Sequence, residues 1–394
     1  MSWEIKKLSD CCVSIADGDH QAPPKADTGI PFVTIANINA TNQFDFSNTM
    51  FVPQAYYDRL DSKRKAQKGD ILYSVVGSFG IPVYMRETIP FVFQRHIAIL
   101  RPNETIVPQF LYYTMLSRDF YMMADAAALG AAQRTVSLTA LRNMKIAVPP
   151  MGVQKKIVDT LSAYDDLIEN NQKQIKLLEE AAQRLYREWF VDLRFPGHET
   201  TSITDGIPEG WKVLSMNDIA EYINGYAFKP TDWGTVGKPI IKIKEMGAGV
   251  TADTPRNTGD DIPEKYNVTA GDILFSWSAT LSAMIWDEED GLLNQHLFKV
   301  IPNDGITREF VLQSILKTLD EFSNLTTGST MKHIQRGKLK EVKVNIPTAE
   351  LMEQYRNISE PIREQILNVK RQMILLREAR DRLLPKLMNG EIEV

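Results

Sequence analysis

Two polar loops led by glycine stand at matched places in the chain. Gly130-Ala131-Ala132-Gln133-Arg134-Thr135-Val136-Ser137 and Gly328-Ser329-Thr330-Met331-Lys332-His333-Ile334-Gln335 each precede a strand-like segment that closes on proline. Both gather amide, hydroxyl and basic side chains in a short span. Such groups can donate to phosphate oxygens and to base edges in a DNA groove. Basic residues surround them: Lys332, His333, Arg336, Lys338, Lys340 and Lys343 against the single acid Glu341, and Arg134, Arg142 and Lys145 with none. A second matched pair is Gln94-Arg95-His96 and Asn294-Gln295-His296. The candidate DNA contacts are therefore Gln94, His96, Gln133, Arg134 and Ser137 in the first copy. In the second they are Gln295, His296, Thr330, Met331, Lys332, His333 and Gln335. Arg134 and Lys332 are assigned to phosphate and the amides to bases. For Gln94 and His96 a structural place at a strand end is the alternative.

Catalytic patterns are missing. The only Pro-Pro pairs, Pro23-Pro24 and Pro149-Pro150, do not sit in an adenine-methylation motif, and no phosphate-cradling Gly-x4-Gly-Lys-Ser/Thr loop occurs. Neither His-Glu-x-x-His nor Gly-x-Ser-x-Gly is present. Gly247-Ala248-Gly249 reads as a turn. The acidic run Asp287-Glu288-Glu289-Asp290 could hold a metal but reads better as a solvated turn. The expectation is a chain with no catalytic residue, no metal and no cofactor of its own.

The elements that must position these loops are written twice, with a period of about 200 residues. Gly69-Asp70-Ile71-Leu72-Tyr73-Ser74 recurs as Gly271-Asp272-Ile273-Leu274-Phe275-Ser276, and Trp3 with Gly18 recurs as Trp211 with Gly225. Leu177-Leu178-Glu179-Glu180-Ala181 recurs as Leu375-Leu376-Arg377-Glu378-Ala379. Short apolar runs such as Ile71–Val76, Phe91–Leu100, Ile240–Ile243 and Ile273–Trp277, bounded by turn residues, predict strands. Residues 151–190 and 348–388 predict long amphipathic helices. The segments are 1–150, 151–200, 201–347 and 348–394, two mixed α/β modules alternating with two helical regions.

Steps of three and four along the first helix give the seam Ile157, Leu161, Tyr164, Ile168, Asn171, Ile175, Leu178, Ala182, Leu185 and Trp189. Asn171 could set register or merely face water. The second seam holds Val369, Met373, Leu376 and Leu383, with Arg380 interrupting; Pro361 should break or start that helix and Pro385 fray its end. A helix of roughly 58 Å is too long for a small module to bury, so the two helices should pair within the chain; a homodimeric coil is the alternative.

Among its 394 residues, 45 basic against 50 acidic give a net charge of −5, unusual for a stand-alone DNA binder. Two adjacent cysteines, no secretory h-region and no membrane-length apolar window lead us to expect a cytoplasmic protein in a reducing compartment.

Several stretches resemble the specificity subunit of type I restriction–modification systems. They are Ile146-Ala147-Val148-Pro149-Pro150 with Gln154, Asp165-Asp166-Leu167-Ile168-Glu169-Asn170-Asn171, and Arg187-Glu188-Trp189-Phe190-Val191-Asp192 followed by Phe195-Pro196-Gly197. The ending Leu383-Leu384-Pro385-Lys386-Leu387-Met388-Asn389-Gly390 fits as well, and the first loop departs in holding Gly130-Ala131-Ala132 instead of Gly-Ser-Thr. The resemblance implies an α+β fold with two target recognition domains, a pseudo-twofold internal repeat, joined by two long helices in an antiparallel intramolecular coiled coil. It implies that each domain reads one half of a bipartite, asymmetric site on double-stranded DNA. Partners would be two modification subunits, carrying S-adenosylmethionine, and restriction subunits using ATP and Mg, with no membrane. The competing readings are a stand-alone site-specific DNA enzyme, which would cut or methylate without a partner, and a coiled-coil scaffold for other ligands, which would ignore substitutions at Arg134 and Lys332.

Overall fold

A computed structural model describes residues 3–20, 22–39, 41–130, 133–324 and 336–393. By its contacts the chain forms two compact units, residues 1–169 with 374–394, and residues 170–373. The fold is α+β, and each unit holds one mixed α/β domain and a stretch of both long helices.

In the first unit, Cys12–Asp17, Ile97–Pro102, Ile71–Ser74 and Pro82–Tyr84 lie in that order in an antiparallel sheet. Its central strands are continuous apolar runs because both faces are covered. Ile71, Tyr73, Ala98 and Leu100 belong to one core with the helix residues Phe110 and Leu111. The alternate residues Leu72, Ile97 and Ile99 join Val33 and Phe93 of a second sheet in another core. That second sheet orders Met50–Val52, Ile30–Val33 and Val92–Phe93, the last pair parallel.

The second unit repeats this plan. Ala220–Asn224, Leu297–Pro302, Ile273–Ser276 and Ser282–Ile285 form its main sheet, with Ile273, Phe275, Phe298 and Val300 on one core and Leu274 and Leu297 on the other. Its second sheet orders Arg256–Asn257, Lys238–Ile241, Gly291–Leu293 and Asn267–Val268, again with one parallel pair. Each fully buried side chain of Leu or Phe size contributes about 2–3 kcal/mol, so the cores on the two faces of each main sheet hold these short strands together. The run Phe91–Leu100, read from sequence as one strand, is two: a turn at Gln94–His96 carries the chain from one sheet to the other. Hydrophobicity registers burial along that run and does not register the change of sheet.

The central helix spans Met151–Tyr186 and the C-terminal helix Ala349–Met388. Buried Gln154 ties the first helix to its domain, accepting from the Val107 amide (2.8 Å) and donating to the Pro149 carbonyl (2.9 Å). The two helices run antiparallel within each unit. In the first, Ile157, Val158 and Leu161 share a core with Leu384 and Leu387, while Asp165 pairs with Arg380. In the second, Glu179 lies 4.0 Å from Lys370 and Trp189 packs on Tyr355. Ile157, Leu161, Ile168, Asn171, Ile175 and Val369 are buried; Leu178, Leu185, Met373, Leu376 and Leu383 are half-buried.

Three sequence expectations fail here. The C-terminal helix passes through both Pro361 and Pro385 without a break. Proline at 361 removes one backbone donor, but Tyr355 and Ser359 before it are fully buried, and after it Arg363 pairs with buried Glu309 at 2.6 Å. Packing on both sides holds the turn. The first helix does not stay α-helical to residue 190: Arg187–Val191 makes a π turn that sets Phe190 at 4.9 Å from both Phe310 and Tyr355. Gly247-Ala248-Gly249 is not a free turn but the end of helix Ile243–Ala248, where Gly249 takes a positive φ of 75° that glycine adopts without penalty.

Candidate nucleic-acid interface

In each domain the crossover turn joins the two sheets. In the first, the Gln94 amide donates to the Val33 carbonyl (3.1 Å), the Arg95 amide to Asp19 (3.1 Å), and the Ile97 amide back to Gln94 (3.0 Å). In the second, Asn294 donates to Ile241 (3.1 Å), Gln295 to Tyr226 (2.9 Å) and Leu297 to Asn294 (3.0 Å). Each turn is met by a glycine whose amide reaches the following strand, Gly18 to Ile97 and Gly225 to Leu297, both at 3.0 Å. A Cβ at Gly18 would stand 2.3 Å from the Phe93 oxygen, and one at Gly225 2.0 Å from the Asn294 oxygen. Only glycine permits that approach.

The turn also brings sequence candidates together. In the first unit the Val75 amide donates to the His96 carbonyl (2.8 Å), while the Val136 amide donates to the Val75 carbonyl (2.9 Å). The Gln94–His96 turn and the Gly130–Ser137 loop thus flank one residue. Gly130 opens that loop at φ +106, and the Leu129–Thr135 bridge closes it. Arg134 ion-pairs with Asp125 and lies over the Phe79 ring at 5.5 Å, which itself stacks on Tyr121. Gln133 is exposed. Ser137 acts within its own segment, where its hydroxyl accepts from the Ala140 amide (3.1 Å) and caps helix Leu138–Asn143. We expect Ser137→Ala to lower the free energy of unfolding by about 1 kcal/mol, read as a shift of the urea midpoint at unchanged slope.

His96 is half-buried, and burial pushes its imidazole below the usual histidine value, with the Arg95 charge acting in the same direction. Both effects favour the neutral ring, which can present either a donor or an acceptor. His296 lies against Ser278, its Nδ1 3.3 Å from the hydroxyl, with the Trp277 ring 6.0 Å away. Thr330, Met331, Lys332, His333 and Gln335 lie outside the described residues.

Sequence reasoning missed the segment that faces the first turn. Asp19, His20, Lys25, Gln94 and Arg95 line an open concavity of about 430 Å³. His20 and Arg64 both pair with Asp17, and the Tyr56 hydroxyl donates to Asp19. The signal available was the matched pair Gly18 and Gly225, which marks where this segment starts. In the acidic run 287–290 three carboxylates have separate partners. Asp287 pairs with Lys370, Glu288 accepts from the Val250 amide, and Glu289 grips Arg256 through two oxygens. Among the described residues no cluster of three metal-ligating side chains occurs, and no helix is long and apolar enough to cross a membrane.

Comparison with known proteins agrees with this architecture. The family described as type I restriction modification DNA specificity domain matches residues 2–180 and 208–367, once in each half. The chain is 24% identical over 352 residues to the type I restriction enzyme MjaIX specificity subunit of Methanocaldococcus jannaschii, covering 84% of this chain and 80% of that one. It is 23% identical to the HindI specificity subunit of Haemophilus influenzae, covering 84% and 88%. The crystal structure of a type I restriction–modification S subunit from M. genitalium superposes with a TM-score of 0.56 at 15% identity, over 98% of this chain and 96% of that one, a likeness of fold.

Proposed function

Because the chain belongs to the family of type I restriction modification DNA specificity domains, we infer that it is the sequence-reading subunit of a restriction–modification complex, each recognition domain reading one half of a split DNA site. One observation carries this. The two domains share their sheets, their crossover turn and the glycine facing it, yet the side chains around that turn differ: Asp19 and His20 stand where the second domain has Tyr226 and Ala227. A common frame with diverged contact residues suits two unlike half-sites, so the site is asymmetric.

In this reading Gln94, His96 and Gln133 reach base edges in the first half-site, and Arg134, positioned by Asp125 and Phe79, meets phosphate. Gln295 and His296, with Thr330, Met331, Lys332, His333 and Gln335, serve the second. The paired helices set the distance between the readers and carry two modification subunits, to which restriction subunits add. S-adenosylmethionine, ATP and Mg belong to those partners, in the cytoplasm, and this chain supplies no catalytic group.

The test is co-expression with the modification subunit of the same genome in a host lacking other adenine methylation, followed by long-read mapping of N6-methyladenine. A split motif with unlike halves is expected, and exchange of residues 201–347 for those of another family member should change one half alone. A soluble complex that leaves DNA unmethylated would overturn the reading, and a change in both halves would overturn the division of labour.

A further inference from the structure

The loops that start at the glycines facing the crossover turns have fixed ends and unrelated interiors. In the first domain the loop starts at Gly18 and closes at Gly29, which has φ +140 and whose Cβ would meet the Val52 oxygen at 2.4 Å. In the second it starts at Gly225 and closes at Gly237, with φ +100 and the Asn257 oxygen at 2.3 Å. Between those ends, Asp19-His20-Gln21-Ala22-Pro23-Pro24-Lys25 gives way to Tyr226-Ala227-Phe228-Lys229-Pro230-Thr231-Asp232-Trp233. A pair of readers with one frame and two targets should differ in such a place.

The second loop is built to hold apolar surface out in water. Its root belongs to the candidate interface, since Tyr226 donates to Leu293 (2.8 Å) and accepts from Gln295 (2.9 Å). Its tip is pinned. The Asp232 carboxylate accepts from the Lys229 amide (2.7 Å), Asn257 donates to the Asp232 carbonyl (2.9 Å), and Gly234 exchanges two hydrogen bonds with Arg256 (2.7 and 2.9 Å). On this tip Trp233 is 49% exposed and Val236 73%. Folding has already fixed the backbone that carries them, so a ligand would not have to order it.

Charge says which ligand. Residues 229–245 contain Lys229, Lys238, Lys242 and Lys244 against two acids, Asp232, whose carboxylate is taken by the loop itself, and buried Glu245. The Lys242 ammonium lies 5.4 Å from the Trp233 ring centre, beside the carboxylate of buried Glu245 at 4.0 Å. In a chain of net charge −5 this is a local positive field around an exposed aromatic. A polyanion with apolar walls between its charges fits it, and the groove of a DNA duplex has that form.

We propose that the loop Lys229–Val236 is a further DNA contact of the second domain, in which Trp233 packs into a groove against sugar and base edges while Lys229 and Lys242 meet the flanking phosphates. The proposal rests on the specificity-subunit reading. It is tested on the complex with the modification subunit, using a duplex that carries the mapped site and measuring affinity across a KCl series. Trp233→Ala should weaken specific binding about tenfold with an unchanged salt slope and an unchanged melting temperature of the complex. Trp233→Phe should recover most of that loss. Lys242→Gln should lower the salt slope by about one, equally on all sequences. A Trp233→Ala complex that binds within twofold of wild type overturns the proposal and leaves the specificity reading intact; so does a loss confined to capture of a protein or of vesicles. A wild-type complex that neither binds nor methylates the site overturns both.

Discussion

Gly225→Ala should unfold the second recognition domain in mild urea, with a loss of about 3 kcal/mol or more in unfolding free energy. The added carbon would stand 2.0 Å from the Asn294 oxygen and 2.3 Å from its carbonyl carbon. Both are backbone atoms, so no rotamer change relieves the clash. The Asn294 carbonyl also accepts the hydrogen bond that closes the crossover turn, and moving it would open the boundary between two cores. Gly247→Ala supplies the control: that glycine lies in helix Ile243–Ala248 with nothing within 4 Å of the added carbon. It should be neutral or slightly stabilising. Equal urea midpoints for the two variants would refute the account of the turn.

Arg380→Ala should lower stability by about 2 kcal/mol, and Asp165→Ala by a similar amount. Arg380 reaches Asp165 at 2.8 Å across the helix pair, and the other oxygen of Asp165 accepts from the Tyr113 hydroxyl at 2.7 Å. One carboxylate thereby joins both helices to the first recognition domain. The side chains are 20% and 12% exposed, so the effect falls below that of a fully buried pair. The double variant should lose clearly less than the sum of the two, giving a coupling of about 1 kcal/mol or more. Strict additivity would show that the pair contributes nothing beyond its separate contacts. Arg380→Leu distinguishes charge from packing: a leucine fills the seam but leaves Asp165 without its cation, so it should not restore stability unless Asp165 is also made apolar.

That clamp also marks how far the sequence could be read. Duplication made the frame legible, because Gly18 with Gly225 and Gly69 with Gly271 recur in order and turn out to be close approaches or left-handed positions. The long helices were legible from periodicity. Arg380 was visible only as a break in an apolar pattern, since its partner Asp165 lies 215 residues away. Pro361 misled because propensity is local, whereas the packing that carries the helix through it comes from Glu309 and the aromatic cluster around Tyr355. Of the candidate contacts, Ser137 shows the weakness of residue type as a guide: a hydroxyl before a helix reads the same whether it faces DNA or caps the first turn. The segment 18–25 escaped attention because nothing in its composition announces that it closes on the turn at residue 94.

The division of the chain between its two units bears on the order in which a ribosome delivers them. Residues 170–373 are contiguous, so the second unit can complete itself while synthesis continues. The first cannot, because Leu384 and Leu387 belong to the core that contains Ile157 and Leu161, and Trp3 lies against Gly390. The part translated first is therefore finished last, its apolar seam waiting through more than half the chain for the final twenty-one residues. A premature stop near residue 374 would spare the nearer recognition domain and cripple the one made at the start.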